Sequence, residues 1–294
     1  MKVINFGSLN LDYVYHVAHI VAPGETQDTA DRTIFCGGKG LNQSIALAKA
    51  GVEVYHAGMV GEGGEALISM CEKEKVGIHY IWKIPGPCGH KIIQVDENGQ
   101  NSILLYGGAN QKFTKNYVDE VLADFSENDV VLVQNEINLV DYIIEAASKK
   151  RMKIIFNLSP YNQNLEKCDL AKVSLFLLNE VEAEQMTGRS DVEGMLQELK
   201  YRFPAAEVVL TLGEEGCIYQ DASRTFHQES FHVPVKDTTA AGDTFTGYFI
   251  AAKVFGLDVR EGLIIASKAA AIAVMREGAA SSIPEKAEVL DMEL

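Results

Sequence analysis

A carboxylate stands where a helix should begin, in the run Asp237-Thr238-Thr239-Ala240-Ala241-Gly242-Asp243-Thr244-Phe245-Thr246-Gly247. Ala240, Ala241 and Gly242 are small enough to leave backbone N–H groups bare at that helix start. Unpaired N–H groups, together with the positive end of the helix dipole, bind anions. An acid beside an anion site would repel a bound phosphate. Asp243 therefore makes chemical sense as the group that takes the proton of a hydroxyl attacking that phosphate. The plainer alternative is a first-turn acid that only caps the helix. A helix N-terminus should also keep this carboxyl ionised at neutral pH. The preceding run, Phe231 to Val235, favours extended backbone. Phe245, Phe249 and Ala252 then recur near helical spacing, so the motif reads as a strand-to-helix turn.

A second constellation lies near the N-terminus. Asn10 and Asp12 are two apart, which in extended backbone places both side chains on one side. An acid offers only acceptors and an amide offers both roles, so the pair suits vicinal hydroxyls; a strand-end turn is the alternative. Cys36-Gly37-Gly38-Lys39-Gly40-Leu41-Asn42-Gln43 then opens a helix that stops at Gly51. Its glycines let backbone approach a ligand, and its spacing is not that of a Walker-type phosphate loop.

The elements needed to position these groups are legible in outline. Val130 to Val133, Ile154 to Phe156, Leu175 to Leu178 and Val208 to Leu212 are short apolar runs without alternation. Strands covered on both faces read this way, so the expected fold is a three-layer α/β/α sandwich around a mostly parallel sheet. Polar residues follow each run: Gln134-Asn135-Glu136, Asn157, Asn179 to Glu182, and Gly213 to Gly216 after Thr211. Ligands of such sheets lie beyond the carboxyl ends of the strands. Tyr13 to Val17, Thr29 to Phe35, Tyr80 to Ile84, Lys91 to Asp96 and Ser102 to Tyr106 are expected to form a small separate sheet, with Asn98-Gly99 as a hairpin turn. A hairpin of Cys217 to Gln220 with Thr225 to Val235 should precede the Asp243 motif. Asp258 and Glu261 resemble a capping box opening a long helix to about Met275. Residues 1–294 are expected to form a single domain, its lid strands within 13–35 and 79–106.

The 294 residues carry a formal net charge of −15, which argues against nucleic-acid or anionic-membrane surfaces as partners. Cys36, Cys71, Cys88, Cys168 and Cys217 are scattered without metal-type pairing, as in a cytosolic protein with reduced thiols. The N-terminus runs directly into a strand with no signal-peptide pattern, so a cytoplasmic location is expected.

Together, Gly7-Ser8-Leu9-Asn10-Leu11-Asp12, Gly37 to Gln43, Gly107 to Asn110 and Asp237 to Gly247 resemble the signatures of the ribokinase family, the sugar kinases of the phosphofructokinase B type. The resemblance spans nearly the whole chain. It implies an ATP-dependent kinase converting D-ribose to D-ribose 5-phosphate; a related kinase of deoxyribose, a ketohexose or a nucleoside is the alternative. By this resemblance, Asn10, Asp12, Gly38, Lys39, Asn42, Glu136 and Asp243 hold the sugar, with Asp243 the catalytic base. The anion hole is at Ala240, Ala241, Gly242 and Asp243. Asn179, Thr211, Gly213, Glu214, Gly216, Gly242 and Ser267 contact ATP. Glu182 orders magnesium through water. Potassium lies on oxygens of Asp237, Thr239, Ala273, Arg276, Gly278 and Ser282. The small sheet serves as a lid and as the surface of a homodimer. Leu41 replaces a usual alanine and should add bulk near the sugar. Trp82 and Lys91, in the lid region, also depart from the family pattern and bear on sugar preference. Ser267 stands where relatives often have an asparagine.

Overall fold

The computed structural model describes residues 1–29 and 31–293. The chain runs β1 (Val3–Phe6), β2 (Asn10–His16), β3 (Asp31–Gly37), α1 (Lys39–Lys49), β4 (Val54–Glu62), α2 (Glu65–Lys73), β5 (Gly77–Pro87), β6 (Gly89–Val95) and β7 (Asn101–Tyr106). It continues through α3 (Lys115–Ala123), β8 (Val130–Gln134), α4 (Val140–Lys149), β9 (Lys153–Asn157), β10 (Leu175–Asn179), α5 (Glu180–Thr187), α6 (Val192–Arg202) and β11 (Glu207–Thr211). It ends with β12 (Cys217–Gln220), β13 (Thr225–Gln228), α7 (Ala241–Val254), α8 (Val259–Val274) and α9 (Lys286–Asp291).

Nine strands form one sheet in the order β13-β12-β11-β10-β9-β8-β1-β4-β5. Every pairing from β11 to β5 is parallel, and β12 and β13 close one edge antiparallel. Because successive side chains of a strand point to opposite faces, the apolar runs feed two cores at once. Val3, Val130, Leu132, Leu175, Leu177 and Val209 join a core with α1, α2, α7, α8 and α9. Ile4, Phe6, Val131, Val133, Phe176 and Leu178 join the opposite core with α3, α4, α5 and α6. This is the expected three-layer arrangement. Parallelism puts the carboxyl ends of β1, β8, β9, β10 and β11 on one edge, so Ser8, Glu136, Asn157, Asn179 and Thr211 share a rim.

A second sheet of four strands, β3-β2-β6-β7, stands beside that rim. Its β2–β3 and β6–β7 pairs are antiparallel and its central β2–β6 pair is parallel.

Four local expectations are corrected. Tyr80 to Ile84 lies in β5, which pairs with β4 and forms the edge of the large sheet rather than joining the small one. The β4–α2–β5 crossover returns the chain beside the strand it left, the usual outcome for such a unit. Trp82 therefore packs on Tyr117, at 4.7 Å between ring centroids, away from the small sheet. Phe231 to Val235 forms no strand, since β13 ends at Gln228; Pro234 has no N–H to give to a ladder. Asp258 caps α8 by accepting from the Arg260 N–H, with no reciprocal bond from Glu261 among the described residues. Leu41 is fully buried in the apolar core, so its bulk is spent on packing.

Candidate active site

The amino ends of α1 and α7 meet at the rim. Gly38 and Gly40 make the entry to α1 possible. Gly38 has φ of 103°, and a Cβ on Gly40 would lie 2.4 Å from the Ser8 nitrogen. Helix α1 can therefore start directly against the end of β1, and Asn42 and Gln43 project from its first turn. At α7, Ala240 adopts left-handed φ of 61° as the residue before the helix, which turns the chain sharply and buries Asp243 in the first turn. A non-glycine residue in this region signals local strain, and such strain clusters at functional sites.

The two helices are joined through Asp243. The Asn42 side-chain amide donates to one carboxylate oxygen at 2.9 Å, and that of Gln43 donates to the other at 2.8 Å. Burial is the main influence on this carboxyl and pushes its pKa above the ordinary range; Lys39 and the two amides pull it back, and Glu136 adds to the rise. The helix-dipole expectation, that this acid stays ionised at neutral pH, thus meets an opposing effect of burial. Burial also acts first on Lys39, lowering its pKa, but Asp243, Glu136 and Glu182 outweigh it and leave the ammonium more basic than usual. Three carboxylates therefore act on one cation.

Glu136 fixes the glycine-rich loop. Its carboxylate accepts from the Lys39 N–H at 3.0 Å and from the Ser8 hydroxyl. Asn10 opens β2 and its carbonyl oxygen accepts from Asn110 at 2.7 Å. Asp12 is 6% exposed, and burial raises its pKa to about 6, with Lys91 lowering it and Glu136 raising it. Lys91 stands opposite Asp12 in the β2–β6 register. The Asn10 amide nitrogen, one Asp12 oxygen and the Asn42 carbonyl oxygen are buried without a hydrogen-bond partner. Buried polar groups are almost always paired, so these exceptions make the three residues candidates for bonding the hydroxyl groups of a ligand.

The residues expected on the other side of the cleft are satisfied locally. Asn179 and Glu182 form a reciprocal capping box at the start of α5, each bond 2.9 Å, and Glu182 also accepts from the Ser159 hydroxyl. Glu182 therefore has both oxygens engaged, which fits an indirect hold on a cation through water rather than a direct bond. Thr211 ends β11, Gly213 and Glu214 are exposed in the following turn, and Gly216 has φ of 92° with no room for a Cβ. Ser267 is buried on α8 against Cys217, the β12 residue that pairs with Thr211. Asn157 donates to Thr246 of α7 at 3.3 Å, tying this rim to the Asp243 helix.

At the anion-binding turn, the Ala241 N–H closes on the Thr238 carbonyl at 3.3 Å. The N–H groups of Gly242 and Asp243 have no backbone partner among the described residues, and an added Cβ on Gly242 would meet nothing within 4 Å. Below it, Asp237 accepts from the N–H groups of Thr239 and Gly278, both at 2.9 Å. Arg276 N–H bonds the Ala273 carbonyl and Ser282 hydroxyl bonds the Ala279 carbonyl. The donor set is one carboxylate and neighbouring carbonyls, which suits a weakly bound monovalent ion better than a divalent one; no cluster of three acidic, histidine or cysteine ligands occurs among the described residues. Sequence reasoning missed Ser8, Gln43, Asn110 and Gln134 as site residues. Gln43 was findable, since it follows Asn42 in the same motif.

Comparison with known proteins finds similarity along nearly the whole chain. The profile of the pfkB family carbohydrate kinases matches residues 1–286. Ribokinase of Haemophilus influenzae is 32% identical over 294 aligned residues, covering 97% of this chain and 96% of that protein. Deoxyribokinase of Salmonella typhimurium is 29% identical with the same coverages. The solved structure of Arabidopsis thaliana ribokinase complexed with ribose and ATP superimposes with a TM-score of 0.85 at 27% identity, covering 98% of this chain and 97% of that one.

Proposed function

The chain belongs to the pfkB family of carbohydrate kinases and is a sugar kinase; from that premise we propose that it phosphorylates the 5-hydroxyl of D-ribose with ATP, using Asp243 as base. The observation that carries this reading is the 2.9 Å bond from Asn42 to Asp243, which puts the glycine-rich loop and the anion-binding turn in one cleft beside the orphaned polar atoms of Asn10, Asp12 and Asn42.

Asn10, Asp12, Gly38, Lys39, Asn42 and Glu136 hold the sugar. The acceptor oxygen then lies against Asp243 and opposite the Gly242 and Asp243 N–H groups. As the oxygen–phosphorus bond forms, the bond from the γ-phosphorus to the ADP oxygen breaks, and the hydroxyl proton passes to Asp243. The bare N–H groups and the Lys39 ammonium stabilise charge on the transferring phosphoryl group; one such preorganised donor supplies about 3 kcal/mol. Asn179, Thr211, Gly213, Glu214 and Gly216 form the nucleotide rim. Magnesium, held through water near Glu182, supplies charge neutralisation on the phosphates when bound. Asp237 and the carbonyl oxygens of the Gly278 loop would hold potassium, which would steady the anion-binding turn; replacing it with sodium or choline should lower the rate.

The small sheet covers the acceptor side as a lid. Phe35, Ile103 and Leu105 on it are large and exposed, and burying them against the same sheet of a second copy would form the expected homodimer. Exposed apolar groupings of this kind mark association surfaces.

The test is ADP release with ATP, magnesium and potassium against a panel of D-ribose, deoxyribose, a ketohexose and a nucleoside. Ribose should give the highest kcat/KM. Deoxyribose is the second reading, favoured by the deoxyribokinase relative at nearly the same identity. A site built to bond a hydroxyl rejects an analogue lacking it by as much as about 10⁴-fold, so the panel separates the two. A larger response to another sugar would change the substrate and keep the class.

A further inference from the structure

We propose that Asn5, Ser44 and His56 form a buried positioning network that fixes, through Gln134, the orientation of the Gln43 amide against Asp243. The proposal rests on the reading of Asp243 as the base.

All five side chains are almost completely inaccessible: Asn5, Gln43, Ser44 and His56 are at 0% exposure and Gln134 at 1%. They link into one chain. The His56 ring bonds the Gly7 carbonyl at 3.2 Å and the Ser44 hydroxyl at 2.9 Å. The Asn5 amide donates to the Ser44 oxygen at 2.8 Å and to the Gly40 carbonyl at 2.9 Å. The Gln134 amide donates to the Asn5 carbonyl oxygen at 2.9 Å and to the Gln43 carbonyl oxygen at 2.8 Å. Gln43 then donates to Asp243.

The donors and acceptors admit one consistent order. Asn5 spends its two amide hydrogens on Gly40 and Ser44, so Ser44 must give its own proton to His56. His56 is then neutral, with the ring nitrogen nearer Gly7 carrying the hydrogen, and its burial keeps it in that form. The Asn5 carbonyl oxygen is left to face Gln134, which must present its amide nitrogen. That nitrogen has a second hydrogen for the Gln43 carbonyl oxygen, and Gln43 in turn presents its own amide nitrogen to Asp243. Gln134 adopts this orientation although its carbonyl oxygen is left buried without a partner, which shows that the two donations decide it. A flip of any one of the three amides sets donor against donor or acceptor against acceptor at its links. At the last link, it sets the Gln43 oxygen against the Asp243 carboxylate. Nothing in acceptor or nucleotide binding requires Asn5, Ser44 or His56. They lie behind α1, on strands β1 and β4 and the inner face of the helix.

The triple variant Asn5→Leu, Ser44→Ala, His56→Phe removes the three polar side chains together, leaving only the Gly7 and Gly40 carbonyls and one Gln134 hydrogen to lose a partner. Circular dichroism and a melting curve establish that it folds. We expect KM for ribose and for ATP to stay within about two-fold while kcat falls about ten-fold, less than the roughly 10²-fold that a misplacement of about 1 Å can cost. In a Gln43→Leu background the same triple change should cost less than about two-fold, since coupled residues are non-additive. Asn5→Asp, of equal volume but with at most one hydrogen to share between Gly40 and Ser44, is read by the same split and stands in if the triple variant does not fold. An unchanged kcat in a folded variant, or a loss that adds fully to that of Gln43→Leu, overturns the proposal. Retained turnover in Asp243→Asn would instead overturn the catalytic reading beneath it.

Discussion

The proposed acceptor side and the proposed nucleotide side of the cleft are built on different principles. On the acceptor side, Asn10, Asp12, Asn42 and Asp243 are buried, and three of them keep a polar atom with no partner. On the nucleotide side, Asn179, Gly213 and Glu214 are exposed, and Asn179 and Glu182 satisfy one another in a capping box. The first arrangement costs folding energy and has meaning only with a ligand in place. The second would exist for the sake of α5 alone. A small polyhydroxylated acceptor must be recognised group by group in a dry pocket, where an unmade bond is costly. A nucleotide offers charge and a flat ring, which backbone and shape can hold without buried unpaired groups. Mutations on the two sides should therefore differ in the size of their effect on turnover and in the sign of their effect on stability.

The largest effect is expected at Asp243. Asp243→Asn should lower kcat by about 10²–10⁴-fold, the range of general-base assistance, while ribose binding measured by calorimetry survives. Near-normal turnover would leave Asp243 as a first-turn acid and the acceptor side as a binding surface only.

Asp12 gives the sharpest contrast. Its folded pKa, about 6 against 3.8 in the unfolded chain, means that the native state resists ionisation. The penalty is fully present above about pH 6 and is relieved as pH falls toward the unfolded value; at neutral pH the shift corresponds to about 3 kcal/mol. Asp12→Asn should therefore stabilise the protein at pH 7 by up to about that amount, read from the urea midpoint, while weakening ribose binding at least about ten-fold. A destabilised Asp12→Asn would show that the carboxylate is held by its surroundings rather than reserved for a ligand.

The pH profile follows from the same two acids. Burial raises the pKa of Asp243 as well as that of Asp12, and both act ionised. The kcat/KM for ribose should fall as pH drops through about 6, where Asp12 takes up its proton, and Asp243, also raised by burial, adds a second step to the fall. In Asp12→Asn the remaining fall should follow one proton. An acid limb confined to the ordinary carboxylate range would contradict the burial argument for both groups.

The same contrast explains what the sequence could reveal. Apolar runs such as Val130 to Val133 announce a covered strand because each residue is buried on one face or the other, and the glycines before α1 announce close backbone approach. Asn10, Asp12 and Asp243 stood out as polar residues in short motifs. Gln134, Asn110 and Ser8 lay within such stretches but were given no role, because their partners lie far away in sequence and pairing at that distance leaves no local pattern. Tyr80 to Ile84 was legible as a strand and illegible as to its sheet, since β-propensity carries no information about which neighbour will pair. Leu41 had the same difficulty at smaller scale. In the first turn of α1, one residue's rotation separates the core from the cleft, so its side chain packs inward while Asn42, the next residue, faces Asp243. On the nucleotide side, Asn179 and Glu182 were legible as a pair, but the spacing that suggests a magnesium site is also that of a capping box.

The smallest effect is expected from breaking that box. Asn179→Ala removes the acceptor for the Glu182 N–H, while the Glu182 carboxylate keeps its hold on the N–H of residue 179, so half of the cap survives. Stability should fall by about 1 kcal/mol, the usual worth of a lost cap, with KM for ATP rising no more than a few-fold and the constants for ribose unmoved. The direction opposes that of Asp12→Asn, because Asn179 is already satisfied by the fold and Asp12 is not. If Asn179→Ala instead left stability unchanged and abolished turnover, the nucleotide side would share the logic of the acceptor side, and local satisfaction would no longer separate structural residues from ligand-bearing ones in this cleft.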